Sequence, residues 1–339
     1  MLVFSILKIL NVGVMTQSLT EDDDVLNALI ATCDDLGIDL KRVIADMGLP
    51  AKILTAAQQF IPSHLFNCVL ETIAANYHCR DLALHIASEL QSPQLGLPTT
   101  VMALSNTVGT ALNNASKYSA FYHDTSYWQH RISDTEVSLF KAASPFSSEH
   151  YRQRNLLGTA QMFLLLNSLS PHLWRPNKVG FSFPDPGVHF SKTFHTFFAC
   201  DLLFDQAEDS ISFAADYLEF HVSGSDINLL RGIENQTAVM KRLLLQDRNL
   251  VDQARLLINE RLRFAHCTEA ELAHFMEISS EQLRDELNRA NISFTEILEQ
   301  QICKRAKEYV KKYHAPIKLI TSALMPENED RLSHLMMNT

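Results

Sequence analysis

The sequence lacks most of the signatures by which enzymes are recognised. It holds no glycine-rich phosphate loop, no GxSxG elbow and no HExxH helix, and its 14 histidines are scattered. Without a nucleophile beside a base, or a cradle for phosphate, an enzyme is not indicated and no catalytic residue is expected. Six cysteines (Cys33, Cys68, Cys79, Cys200, Cys267 and Cys303) occur with no CxxC and no His/Cys spacing of the zinc type. They read as buried thiols in a reducing cytosol, with no metal and no cofactor expected. Long apolar runs are also missing. The first 14 residues, MLVFSILKILNVGV, are too short to span a bilayer, are interrupted by Lys8 and lead to no small-x-small cleavage site. They are expected to be an upstream mis-start or a disordered lead, with Met15 opening a polar cytoplasmic N-terminus, and no membrane association is expected. Positive charge is scarce as well. The 29 Lys+Arg against 39 Asp+Glu give a net charge of −10, which argues against a broad basic coat for nucleic acid but leaves room for a local basic surface.

What is present is a chain of 339 residues, 46% hydrophobic, enough to fill a sizeable core and long enough for two or three domains. From Val25 to about Leu90 the apolar spacing is helical. Val25, Leu26, Leu29 and Ile30 form one stripe, and Leu40, Val43 and Ile44 begin a second. Leu65, Phe66, Val69, Leu70 and Ile73 form a third, and Leu82 to Leu90 a fourth. A helical pair follows, over 101–104 and 110–122. The period then changes. Trp128–Ile132 and Val137–Lys141 read as a hairpin joined by Ser133-Asp134-Thr135-Glu136. A long helix over about 150–168, strands over 178–183, 202–204 and 211–214, and a helix over 190–198 complete an α+β pattern. Tyr127, Trp128 and the phenylalanines between 181 and 204 suit either an effector pocket or a core, and their strand and helix spacing favours the core.

From Leu229 onward the pattern is entirely helical, and it centres on residues 268–294. Three capping boxes stand there in succession: Thr268 with Glu271, Ser279 with Gln282, and Ser293 with Glu296. The first two enclose a short helix carrying Leu272, Ala273 and Met276. The second opens another, with Leu283 and Leu287 four apart on one face. Two short helices, a tight turn and a small residue where they approach are helix-turn-helix grammar, although an ordinary αα-corner shares it. A long amphipathic helix follows, with Phe294, Ile297, Leu298, Ile302, Ala306, Tyr309 and Val310 expected inside. Lys304, Arg305, Lys307, Lys311 and Lys312 are expected outside. Pro316 opens one more helix and Pro326 breaks it, leaving 330–337 for a last short one.

On these residues the chain resembles the AraC/XylS-type transcriptional regulators. Glu271-Leu272-Ala273, Met276-Glu277-Ile278-Ser279, Leu283, Leu287 and Ile292-Ser293-Phe294 follow the family run A-x-x-L-G-M-S-x-R-T-L-x-R-x-L…G-x-S-F. The upstream half resembles the arabinose-binding-type N-terminal domain of one subfamily. There the matches are Ser105-x-Thr107-Val108 with Ala111-Leu112, Pro176-x-x-Val179-x-Phe181-x-x-Pro184, Phe197-Phe198-x-Cys200-x-Leu202-x-Phe204 and Ile211-x-Phe213. The resemblance runs from about residue 20 nearly to the end. It implies an α+β ligand-sensing domain over 15–228, a linker helix over 229–249 and an all-α double helix-turn-helix domain over 250–339. The sequence shows no shared core between the halves, so the first is expected to fold alone.

The departures lie where such a regulator would meet DNA. The family's R-T-L-x-R-x-L reads Glu281-Gln282-Leu283-Arg284-Asp285-Glu286-Leu287, and a carboxylate facing a phosphate repels it. Glu277 replaces the turn glycine; a positive φ there would cost on the order of 1 kcal/mol. The second unit is eroded, with Glu327, Glu329 and Asp330 at its helix start. From residue 250 on, 12 Lys+Arg face 14 Asp+Glu. The candidate DNA-binding residues are Ser279, Ser280, Glu281, Gln282, Arg284, Asn288 and Arg289 around the first recognition helix, with Lys304 and Lys307 beyond it. Arg284 and Arg289 can equally pair with Glu281 or Asp285 at helical spacing, and the lysines can be a solvated face. Two functions follow. One is a small-molecule-responsive, cytoplasmic regulator that binds DNA weakly and answers to an unidentified effector. The other is a relative impaired in DNA binding that acts through homo- or hetero-association.

Overall fold

The computed structural model describes residues 23–50, 63–90, 97–118, 128–141, 151–169, 174–245, 248–262 and 267–324, with Arg331 and Met336. The expected mis-start at 1–14, the start at Met15 and the acidic run at 327–330 lie outside the described residues. Among those described, no helix is long and apolar enough to cross a membrane.

The first helices are α1 (Asp23–Asp35), α2 (Leu40–Asp46), α3 (Ser63–Asn76), α4 (Leu82–Glu89), α5 (Leu97–Leu104) and α6 (Val108–Tyr118). The expected inward face of α3 is buried: Leu65, Phe66, Val69, Leu70 and Ile73 are all inaccessible to solvent. His64 and Asn67 are buried with them, so α3 is covered on more than the face its apolar spacing marks. Next come the strands β1 (Trp128–Ile132) and β2 (Glu136–Lys141), then the helix α7 (Arg152–Leu169). Most of α7 is buried, Gln153, Arg154 and Gln161 included, and it packs against α3, α4 and the sheet. Its first amides are met by a side chain from α3, with Gln153 N donating to Glu71 Oε1 at 2.5 Å. Burial pushes the Glu71 carboxyl up to about 7, against those amide hydrogen bonds.

The sheet is completed by β3 (Pro176–Gly180), β4 (Asp201–Leu203) and β5 (Ser210–Ala214), with α8 (Val188–Phe198) between β3 and β4. Strand order is β1-β2-β5-β3-β4, with β3 and β4 parallel and the other pairs antiparallel. The strand expected to continue to residue 183 stops at Gly180. The amide and hydroxyl of Ser182 both donate to Asp209 Oδ1, so a side chain takes the place of the ladder. Beyond that point Phe181, Phe183, Phe194 and Phe198 are buried and pack on one another and on Phe204, with ring centroids 5.0–6.5 Å apart. They are core, as their spacing favours; Tyr127 lies outside the described residues.

The rest is helical: α9 (Ile227–Leu245), α10 (Leu250–Arg261), α11 (Glu269–Phe275), α12 (Ser280–Arg289), α13 (Phe294–Tyr313) and α14 (Ile317–Leu324). Leu230 and Ile233 of α9 join Val101 and Leu104 of α5 in a small separate cluster. The main core is continuous from Val25 to Leu324, contrary to the expectation of halves without a shared core. Helix α14 packs against α3. A Cβ on Gly48 would meet Pro316 Cγ at 2.7 Å, and Gly48 also needs its φ of +73°, so two constraints select glycine there. The buried His64 ring donates through Nε2 to the Leu262 carbonyl at 3.0 Å. These contacts join segments too far apart in sequence for periodicity to register.

Candidate nucleic-acid interface

All three capping boxes form. Thr268 N donates to Glu271 Oε2 at 2.8 Å while Glu271 N donates to Thr268 Oγ1 at 3.2 Å. Ser279 and Gln282 exchange the same pair of bonds at 3.0 Å each. Ser293 N reaches Glu296 Oε2 at 2.7 Å, and Glu296 N reaches Ser293 Oγ at 3.2 Å. The bond from the Ser293 amide holds the Glu296 carboxyl below the usual carboxylate range. Each helix therefore starts where its box stands in the sequence.

The helix ends are as sharply defined. At the end of α11, Ile278 N donates to Ala273 O and Glu277 N to His274 O; at the end of α12, Ile292 N donates to Leu287 O and Asn291 N to Asn288 O. Both are Schellman motifs, which require a left-handed residue: Glu277 has φ +58° and Asn291 φ +53°. The turn glycine's replacement does sit in the strained region. Leu272, Ala273, Leu283 and Leu287 are buried between the two helices, so the pair is packed through the residues that carry the resemblance.

The candidate contacts divide into committed and clear groups. Ser279 and Gln282 use their side-chain oxygens in the cap, and both residues are exposed. Arg284 Nε donates to Glu269 Oε1 on α11 at 2.5 Å, and Arg289 pairs with Glu286. Pairing does occur, but Glu281 and Asp285 are not the partners; Arg284 reaches across to the first turn of the neighbouring helix instead. Glu281, Asp285 and Asn288 are exposed and Ser280 is half-buried. On α13, Lys304 and Lys307 are exposed, as is Lys311.

Arg305 is not outside as expected. It is buried, donating through Nη2 to Asn259 O at 2.7 Å and to Asn259 Oδ1 at 3.0 Å. It lies three residues after Ile302 and four before Tyr309, so it shares their inward face and ties α13 to α10. Val310, expected inside, is 36% exposed. Beyond α14, Arg331 pairs with Glu299 of α13, and Met336 packs against the core. The remainder of the expected second unit lies outside the described residues.

A group the sequence reading missed stands at the other end of α3. Cys79, Asp81 and His85 place one metal-ligating atom each within 4.8 Å of one another, the only such group among the described residues. Asp81 and His85 are four apart across the start of α4, which was the available signal.

The arabinose-binding N-terminal domain of AraC transcription regulators matches residues 37–222, more than half of the chain. The protein belongs to this family of AraC-type transcription regulators. Among solved structures, the crystal structure of the transcriptional regulator CdpR from Pseudomonas aeruginosa is similar, with a TM-score of 0.45 and 14% identity over 94% of this chain and 96% of that one. No curated protein matches the chain significantly.

Proposed function

We propose that the chain is a small-molecule-responsive transcription regulator that acts in the cytoplasm and grips DNA through α12 and the lysines of α13. The observation that carries this reading is a family match over 37–222 followed by two short, boxed helices packed through Leu272, Ala273, Leu283 and Leu287. In it, residues 15–228 sense the effector, 229–249 link, and 250–339 form the DNA-binding half with its second unit eroded. Effector binding then shifts the population of the DNA-competent arrangement. Lys304 and Lys307 hold phosphates, while Ser280, Asn288 and the cap residues Ser279 and Gln282 face the groove. The test is fluorescence anisotropy with DNA from upstream of the chain's own coding sequence, titrated with salt. Sequence-dependent binding with a negative slope supports the reading; equal affinity for scrambled DNA at every salt concentration defeats it.

The pairing of both α12 arginines with carboxylates favours a second reading. There, the acidic helix contacts a protein, a second copy or a DNA-binding relative, and the chain regulates by association. A chain that binds no DNA at low salt yet forms a defined dimer or hetero-complex would support it.

A further inference from the structure

The turn between α3 and α4 is built unusually. His78, in the left-handed region at φ +53°, reverses the chain after α3, and Cys79 and Asp81 follow before α4 begins. Asp81 holds the N-cap position, where an aspartate ordinarily accepts a hydrogen bond from one of the helix's first amides. Its side chain makes no such bond. The Ala83 amide is met instead by Gln153 Oε1 of α7 at 3.0 Å, and the Gln153 side-chain amide returns to Arg80 O, also at 3.0 Å. A residue from another helix caps α4, and the Asp81 carboxylate is free for other work.

That work is directed at two donors. Oδ1 accepts from Cys79 Sγ at 3.4 Å, and Oδ2 lies 3.4 Å from His85 Nε2. Asp81 is buried, Cys79 half-buried and the His85 side chain 39% exposed, so the group opens to solvent on the histidine side. Thr193 of α8 hydrogen-bonds the same carboxylate, and Arg80, between the ligands in sequence, turns away to Pro186 O at 3.1 Å.

We propose that Cys79 Sγ, an Asp81 oxygen and His85 Nε2 form a three-ligand site for a zinc-class divalent ion. Zinc bonds of about 2.3 Å to sulfur and about 2.0–2.2 Å to nitrogen and oxygen place tetrahedral ligands roughly 3.3–3.7 Å apart. Cys79 Sγ and His85 Nε2 each stand at such a distance from the carboxylate, 3.4 Å, but on its two different oxygens, and the three ligand atoms lie within 4.8 Å of one another, so an ion held by one oxygen draws the other donor in. One thiolate, one carboxylate and a neutral imidazole balance a 2+ charge, which suits a half-buried position. Mixed S, N and O donors select zinc, cobalt or copper over magnesium or calcium. Three protein ligands leave a fourth position for water or an incoming donor on the exposed side. Thr193 orients the carboxylate in the manner of an outer-shell partner.

The test uses the full chain, stripped with chelator and titrated with Co²⁺ under reducing conditions. One equivalent per chain should produce thiolate-to-cobalt charge-transfer absorption and tetrahedral d–d bands, displaced by one equivalent of Zn²⁺. Cys79→Ser should abolish the charge-transfer band, and His85→Gln should weaken binding at least tenfold. Thr193→Val should weaken it about tenfold. Cys68→Ser and Cys200→Ser should change nothing. Thermal melts of the stripped proteins check folding; His85→Gln, at a half-exposed side chain, serves if Cys79→Ser does not fold. No charge-transfer band in the wild type, or a band that survives Cys79→Ser or is insensitive to His85→Gln, overturns the proposal.

Discussion

Helices α12 and α13 are neighbours in sequence, yet they hold their cations in opposite states. On α12, Arg284 and Arg289 are each tied to a carboxylate, one on α11 and one on its own helix. On α13, Lys304 and Lys307 are exposed and make no ion pair among the described residues, while Arg305 is buried against α10. The charge available to a phosphate is therefore not the charge counted in the sequence. An arginine already paired must exchange one anion for another, whereas a solvated lysine releases only water and counterions. The near-neutral balance beyond residue 250 hides an α12 with little free positive charge and an α13 with a free positive edge.

The largest expected effect concerns what supports α13. Its partner α10 ends at the Leu262 carbonyl that the buried His64 ring holds, and burial, aided by the nearby Arg305, pushes His64 down to about 4. Because this folded value lies below the ordinary 6.5, the stability is fully present above pH 6.5 and is lost as pH falls through 6.5 to 4. The loss should reach about 3 kcal/mol. Urea unfolding across that window should show wild type losing about 3 kcal/mol relative to His64→Gln, since Glu71, raised to about 7, shifts stability the opposite way in both proteins. Equal pH dependence in the two proteins would mean the contact does not persist in solution.

The next effect falls on α12. Glu281→Arg, Asp285→Arg and Glu286→Lys together remove three carboxylates and release Arg289 from its partner, so the slope of log affinity against log salt should steepen by about 2 to 3. Under the association reading the same variant also loses its protein partner, which size-exclusion chromatography would register. A wild type that binds a specific site tightly at physiological salt, with the triple variant binding it worse, would mean the acidic face reads bases. On α13, Lys304→Ala with Lys307→Ala should flatten the slope by about 2, at 0.9 per phosphate contact. An unchanged slope would break the contrast between the helices.

The smallest effect tests the turn alone. Glu277→Gly should stabilise the fold by about 1 kcal/mol, because glycine holds φ +58° without strain, and should leave the salt slope unchanged. Denaturant midpoints measure the first part and the DNA titration the second.

The C-terminal helix starts were legible residue by residue, because a capping box is a local pattern that resolves locally: Thr268, Ser279 and Ser293 each begin a helix. The hairpin at 128–141 was legible from alternation for the same reason. Arg305 was misplaced because its charge outweighed its position: its spacing from Ile302 and Tyr309 put it on the inward face, but only the fold supplies the Asn259 oxygens that make a buried guanidinium tolerable there. The contacts of α14 with α3, and of His64 with Leu262, left no trace in spacing, since neither partner constrains the other's neighbours in sequence. The group at Cys79 was overlooked because its ligand spacing matches no standard zinc pattern; the diagnostic fact, an N-cap aspartate relieved of capping by Gln153, exists only in three dimensions.

The contact between His64 and Leu262 spans 198 residues of chain, and Gly48 waits longer still for Pro316. During synthesis the face of α3 that receives α14 emerges from the ribosome well before its cover. At about 5–20 residues per second the His64 site alone stays unmet for roughly 10–40 s. An apolar helix face left open that long is a natural substrate for a holding chaperone. A transcript cut short before residue 317 would leave it open permanently, so truncated products of this gene should be cleared by proteolysis or aggregate rather than accumulate as half-length regulators.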